Sequence, residues 1–121
     1  MHKVLIKNLN QPELEPIQVG YCSSFFQRLK GLMFHPPLST QEGILLVYNR
    51  DSRMDTSIHM LGVFTDLTVV WINSSNVVVD VLLAKRGKLA YFPKEPARYV
   101  LEISPARLND FKIGDKIQID T

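Results

Sequence analysis

Four side chains have the type and setting for chemistry: His59, Arg28, Glu102 and Asp66. His59 stands in "MDTSIHMLGVF" (54–64), between Ile58 and Met60, where a charged, loop-like stretch from Asn49 to Asp55 gives way to apolar sequence. An imidazole can give or take a proton near neutral pH. At a loop-to-strand junction it therefore suits ligand contact or general acid–base work. The structural alternative is a half-buried histidine satisfied by a neighbouring backbone group. Strand alternation sends Met60 to the core and His59 the other way, which makes His59 the expected rim of a pocket.

Arg28 lies in "FFQRLKGLM", close to the apolar line of Phe25, Leu29 and Leu32. A guanidinium there either reaches water along its stem or meets a carboxylate. Glu102 interrupts the apolar run "YVLEIS", on the face opposite Tyr99, Leu101 and Ile103. A carboxyl in that position needs a partner or a raised pKa. The two are expected to be neighbours in a partly buried ion pair. In one reading the pair is purely structural; in the other, Arg28 holds an anionic ligand beside His59.

Other constellations are weaker. Met33, Met54, Met60, His35, His59 and Cys22 include soft ligand types, but no Met-x-x-Met or Cys-x-x-Cys spacing occurs, so neither a metal nor a cofactor is expected. One cysteine excludes an intrachain disulfide and a zinc finger, and Cys22 lacks a third group to orient it as a nucleophile. Six scattered glycines form no phosphate loop. In "AKRGKLAYFPKEPARY" (84–99), Lys85, Arg86, Lys88 and Lys94 interleave with Tyr91 and Phe92, a pattern able to bind single-stranded nucleic acid. Fourteen basic residues against twelve acidic ones give a net charge of only +2, which favours a solvated turn and an edge guarded by lysine and proline. A small ligand or a protein is the expected partner, rather than nucleic acid or a membrane.

The elements that must position these groups follow from length and pattern. The 121 residues, 45% of them hydrophobic, suit a single domain over 1–121 with a real core. The N-terminus shows neither a signal peptide nor a membrane span, so a cytoplasmic chain is expected. "HKVLIKN" and "IQVGY" read as short strands. "SSFFQRLKGLM" reads as a helix capped by Ser23 or Ser24 and closed by Gly31, with Phe25, Phe26 and Leu29 on one side. "GILLVYN", "DLTVVWIN", "NVVVDVLLAK", "RYVLEIS" and "IGDKIQID" read as strands. The second and third of these form a hairpin expected at the rigid centre. Val69 and Trp71 share one of its faces, Val70 and Ile72 share the other, and Asp80 needs a hydrogen-bond partner or a local opening to water. Ser104-Pro105 starts a short helix ending near Phe111. The order predicts an α+β fold, mainly antiparallel, with a curled sheet or partial barrel, one helix in the N-terminal half and a short C-terminal helix.

In order and spacing, "RLKGLM", "EGILLVY", "SIHM", the strand pair around "VVWINSSNVVVDV", "YVLEIS" and "IGDKI" are fairly specific. With these motifs the chain resembles the domain-of-unknown-function family numbered one hundred and ninety-two, over about residues 17–119. The resemblance implies a compact, mostly β domain and no particular activity. Many relatives carry a proline-apolar-aspartate step a few residues after the "HM" motif. Here that step reads Asp66-Leu67-Thr68, with the acid displaced by two positions onto the same strand face, and Asp66 is the candidate to stand in for it. Two functions follow as expectations. One is a small binding domain with its pocket between the Arg28 helix and the Ile58–Met60 strand, floored by Glu102. The other is a small enzyme using His59 as acid–base on a polar or anionic substrate.

Overall fold

The computed structural model describes residues 2–120. Its strands are β1 (Lys3–Asn8), β2 (Ile17–Cys22), β3 (Gly43–Ser52), β4 (Ile58–His59), β5 (Leu67–Ile72), β6 (Val78–Ala84), β7 (Ala90–Tyr91), β8 (Ala97–Ile103) and β9 (Ile117–Asp120). Helix α1 (Phe25–Lys30) follows β2, and a 3-10 helix (Pro105–Asp110) follows β8. Seven strands form one sheet in the order β6-β5-β8-β3-β2-β1-β9, and β4 pairs with β7 separately. All pairings are antiparallel except β2 with β3.

The sheet is curled into a half-barrel. Its two outer strands approach each other at their starts, where Val77 bridges Lys116 and the Val78 amide donates to the Asp115 carbonyl at 2.9 Å. Strong right-handed twist makes such curling the ordinary way for a seven-stranded sheet to fill its own concave side. All seven strands contribute to one apolar cluster, which includes Ile6, Val19, Leu45, Val70, Ile72, Leu101, Ile103 and Phe111. That cluster is the inner core. The opposite faces of β2, β3, β5, β6 and β8 carry a second cluster around Leu46, Val69, Trp71 and Val100, covered by Leu32, Ile58, Met60 and Val63.

The expected α+β half-barrel is therefore present, and so is the β5–β6 hairpin, with its faces divided as the alternation predicts. Every residue of β5 is buried. The hairpin is not wholly central, however: β5 lies inside the sheet, whereas β6 is its edge, closed off only where it meets the chain before β9. Asp80 finds its partners in the Val81 and Lys94 amides, at 2.9 and 3.0 Å. Ser104 caps the 3-10 helix through the Ala106 amide.

The close approach of β3 to β8 depends on a glycine. A Cβ on Gly43 would lie 2.7 Å from both the Glu102 carbonyl and Ile103 Cγ2. No side chain fits there, and the resulting register sets Ile44 opposite Glu102. On the other flank of β8, Val69 faces Glu102.

Trp71 is fully buried, and its indole N–H donates to the Thr56 carbonyl at 2.7 Å. It ties the loop before β4 to the sheet. Truncation of Trp71 to alanine is expected to cost about 3–5 kcal/mol, through lost packing and an abandoned carbonyl. Lys88→Ala, at an exposed turn, should stay within about 0.5 kcal/mol. Denaturant unfolding of the two variants against the parent checks this; equal midpoints would mean that Trp71 is not a core residue.

Candidate functional site

Helix α1 is short but well started. Ser24 accepts from the Gln27 amide, and the Gln27 side chain accepts from the Ser24 amide, forming a reciprocal capping box. The helix stops at Gly31, whose φ of 47° suits a residue without Cβ. It buries none of its own residues. Phe25 and Phe26 are 65% and 79% exposed. The six-residue helix lies across the outer face of the sheet without sealing it.

Beneath it lies a cavity of about 600 Å³. Leu29, Leu32, Leu46, Ile58 and Val63 form its apolar wall, and the charged or titratable Arg28, Lys30, Tyr48, Arg50, Asp55, His59 and Glu102 line it as well. That volume falls within the range of small-molecule sites, and a few convergent polar groups in an apolar wall are their usual lining. Three of the four residues singled out in the sequence are thus brought to one place.

His59 is half-buried, between the buried Ile58 and Met60, as the alternation predicts. Its Nε2 meets the Leu29 carbonyl at 3.1 Å. A carbonyl only accepts, so Nε2 carries a proton. Nδ1 is buried and has no partner among the described residues.

Arg28 and Glu102 do not form the expected ion pair. One guanidinium nitrogen of Arg28 donates to the Val47 carbonyl at 3.2 Å and also to the Ser23 carbonyl. The guanidinium carbon stands 4.8 Å from the centre of the Tyr48 ring. Backbone oxygens and an aromatic face have taken the place of the carboxylate. Glu102 is 6% exposed, and no ion pair to it occurs among the described residues. Its Oε1 lies beneath the end of α1, 3.8 Å from where a Gly31 Cβ would stand. Burial pushes its carboxyl up to about 7. The same burial raises the Tyr48 hydroxyl and the Cys22 thiol, with the charge of Glu102 adding to both.

Asp66 does not line the cavity. Its carboxylate accepts from the Arg86 amide at 3.0 Å and so holds the turn after β6. In the basic stretch 84–99, Tyr91 is already engaged: its hydroxyl accepts from the Lys85 amide at 2.7 Å, and Lys88 sits 4.6 Å over its ring. No group of three or more His, Cys, Asp or Glu side chains able to hold a metal ion occurs among the described residues. No helix there is long and apolar enough to cross a membrane.

Sequence reasoning overlooked Tyr48, which both orients Arg28 and walls the cavity. Its signal was an aromatic residue closing the apolar run "GILLVY", at the end of a strand that enters a charged loop.

The model of the DUF192 family, described as an uncharacterized ACR, matches residues 6–119. A UPF0127 protein of Thermococcus gammatolerans is 35% identical over 104 residues, which cover 84% of this chain and 66% of that protein. A UPF0127 protein of Pyrococcus furiosus is 33% identical over 105 residues, 84% of this chain and 86% of its own length. The chain thus spans slightly less than two thirds of the first relative. Among solved structures, a Sinorhizobium meliloti 1021 protein provisionally labelled a transcription regulator superposes with a TM-score of 0.82 at 17% identity, over 97% of this chain and 92% of that one. A protein of unknown function from Novosphingobium aromaticivorans superposes with a TM-score of 0.78 at 21% identity, over 96% and 83%. At these identities the two structures speak for the fold alone.

Glu102 links pH to stability. Its carboxyl titrates near 7 in the folded chain against an ordinary 4.5, so between those values the folded state holds more protons than the unfolded state. Its contribution is complete below pH 4.5 and is lost as pH rises through 7, a change of about 3 kcal/mol. Glu102→Gln is expected to remove that slope, matching the parent near pH 4 and exceeding its stability at pH 8. Urea unfolding from pH 4 to 8 measures it, and parallel curves for parent and variant would show that the carboxyl is not buried unpaired.

Proposed function

The chain belongs to the DUF192 family, and since that membership assigns no chemistry, we propose from the site itself that it is a small-ligand-binding domain. The site is the cavity between α1 and β4. The observation that carries this reading is a concave, apolar space of about 600 Å³ with an uncompensated carboxyl, Glu102, in its wall. A space of that size can hold a ligand of modest size, and its apolar wall is interrupted by polar side chains, among them Arg28, Tyr48, Asp55, His59 and Glu102. Arg28 serves as a brace between α1 and β3, since its donors go to the carbonyls of Ser23 and Val47.

One observation favours a second reading, acid–base catalysis. His59 and Glu102 line the same cavity, so an imidazole and a carboxyl are both placed beside one bound molecule. On this reading a polar substrate is turned over, and exchange of His59 for glutamine abolishes turnover while leaving binding in place.

Leu29 lines the cavity from an exposed position on α1, so Leu29→Trp can obstruct it without disturbing the core. Ligand-observed NMR with a library of small fragments is expected to give binders that shift the His59 and Tyr48 resonances and are lost in Leu29→Trp. Binders that ignore the tryptophan, or an absence of any binder at millimolar concentration, would remove the cavity as the functional site.

A further inference from the structure

Resting on that reading of the cavity, we propose that the ligand carries an aliphatic amine and that its ammonium group binds the Glu102 carboxylate. The reason lies in what surrounds this carboxyl. Burying an acid without a partner is unfavourable, and folded chains ordinarily answer it with a cation or several backbone N–H groups. Neither answer is seen among the described residues. No lysine, arginine or histidine nitrogen lies within 4.0 Å of the Glu102 oxygens among the described residues. One nitrogen of the Arg28 guanidinium is committed to two carbonyls, and the group lies over the Tyr48 ring. The neighbours of Glu102 on its own sheet face, Ile44 and Val69, are apolar.

The cations near the cavity mouth point less strongly to an anionic ligand. Arg50 is exposed and paired with Asp55 at 3.4 Å, and Lys30 is exposed on α1. Solvated charges of that kind contribute little to affinity, whereas a charge pair formed inside the apolar cavity is screened much less. The aliphatic walls suit an alkyl chain attached to the ammonium.

Binding then carries a proton balance. The neutral carboxylic acid of Glu102 loses its proton to the buffer, and the resulting carboxylate receives the ammonium. The other titratable or charged groups around the cavity are Cys22 on β2, Tyr48 and Arg50 on β3, Asp55 in the loop before β4, His59 on β4, and Arg28 and Lys30 on α1. Burial raises the Cys22 thiol above 9.0 and the Tyr48 hydroxyl above 10.0, so both stay neutral through the pH range of the test.

The test is calorimetry of the full chain with three probes of equal length: hexylammonium, hexanoate and 1-hexanol. Hexylammonium is expected to bind at least tenfold more tightly than the other two at pH 7.5. Its affinity should rise about tenfold from pH 6 to pH 8 as Glu102 ionises around 7. At pH 7 about half a proton should be released, read from the difference in apparent enthalpy between phosphate and Tris buffers. Glu102→Gln should lose the preference and the proton release, while His59→Gln should keep the pH slope. If hexanol or hexanoate binds as well as hexylammonium and Leu29→Trp blocks both, the cavity stands and the amine assignment falls. If no probe distinguishes the parent from Leu29→Trp, the cavity reading falls with it. Because buffer-dependent proton release is measured on the parent, its absence overturns the proposal even if Glu102→Gln does not fold.

Discussion

The structure depends on one constraint: its central strands are buried on both faces. β5 and β8 run side by side with apolar side chains pointing both ways, so the curl of the sheet can satisfy only half of them. The outer half needs a separate cover, assembled from what the chain has left after building seven strands: six residues of helix, two strands of two residues each and the loops around them. Trp71 fastens that cover by gripping the Thr56 carbonyl, and Leu32, Ile58, Met60 and Val63 are pressed against it. The cover is too small to close. The cavity beside α1 is the space that a longer helix with a buried stripe would have filled.

Electrostatics follow from the same shortage. A guanidinium near a half-covered sheet can satisfy its donors with carbonyls at the end of a strand and before a helix, and Arg28 does so at Val47 and Ser23. It thereby joins α1 to β3 and leaves the carboxyl across the cavity uncompensated. Backbone oxygens are fixed partners available at no extra ordering cost, whereas a glutamate in mid-strand must give up its hydration before it can compete.

Most of the sheet was legible because its signals are local and repetitive. Alternation in "VLEIS" and "TVVWI" assigns faces residue by residue, Ser24 with Gln27 marks the start of α1, and Ser104-Pro105 marks the 3-10 helix. A strand at Ile58–Met60 was expected, but its pairing with β7 left no trace, since two residues cannot show a period and their partners lie about thirty positions apart. The orientation of α1 was not legible for a related reason. Apolar spacing shows which residues share a side, but whether that side meets protein or solvent is decided by elements distant in sequence. Arg28 and Glu102 line one cavity without forming the expected pair, because sequence exposes unpaired charges and conceals the carbonyls that can answer them.

A comparison among the acids embedded in apolar strands and turns separates structural use from the unusual case. Asp80 accepts two backbone amides, Asp66 accepts that of Arg86, and Asp115 accepts from the Asn8 side chain and the Lys112 amide. Each is an aspartate, whose short side chain keeps the carboxylate close to nearby main chain, where N–H groups are available at turns. Glu102 lies in the middle of a strand whose own N–H groups are committed to β3 and β5. Its longer side chain carries the carboxyl away from the ladder, under the open end of α1. An aspartate at that position would hold the acid against Ile44 and Val69; the extra methylene moves it toward the cavity, the one direction in which a partner from outside the chain can approach.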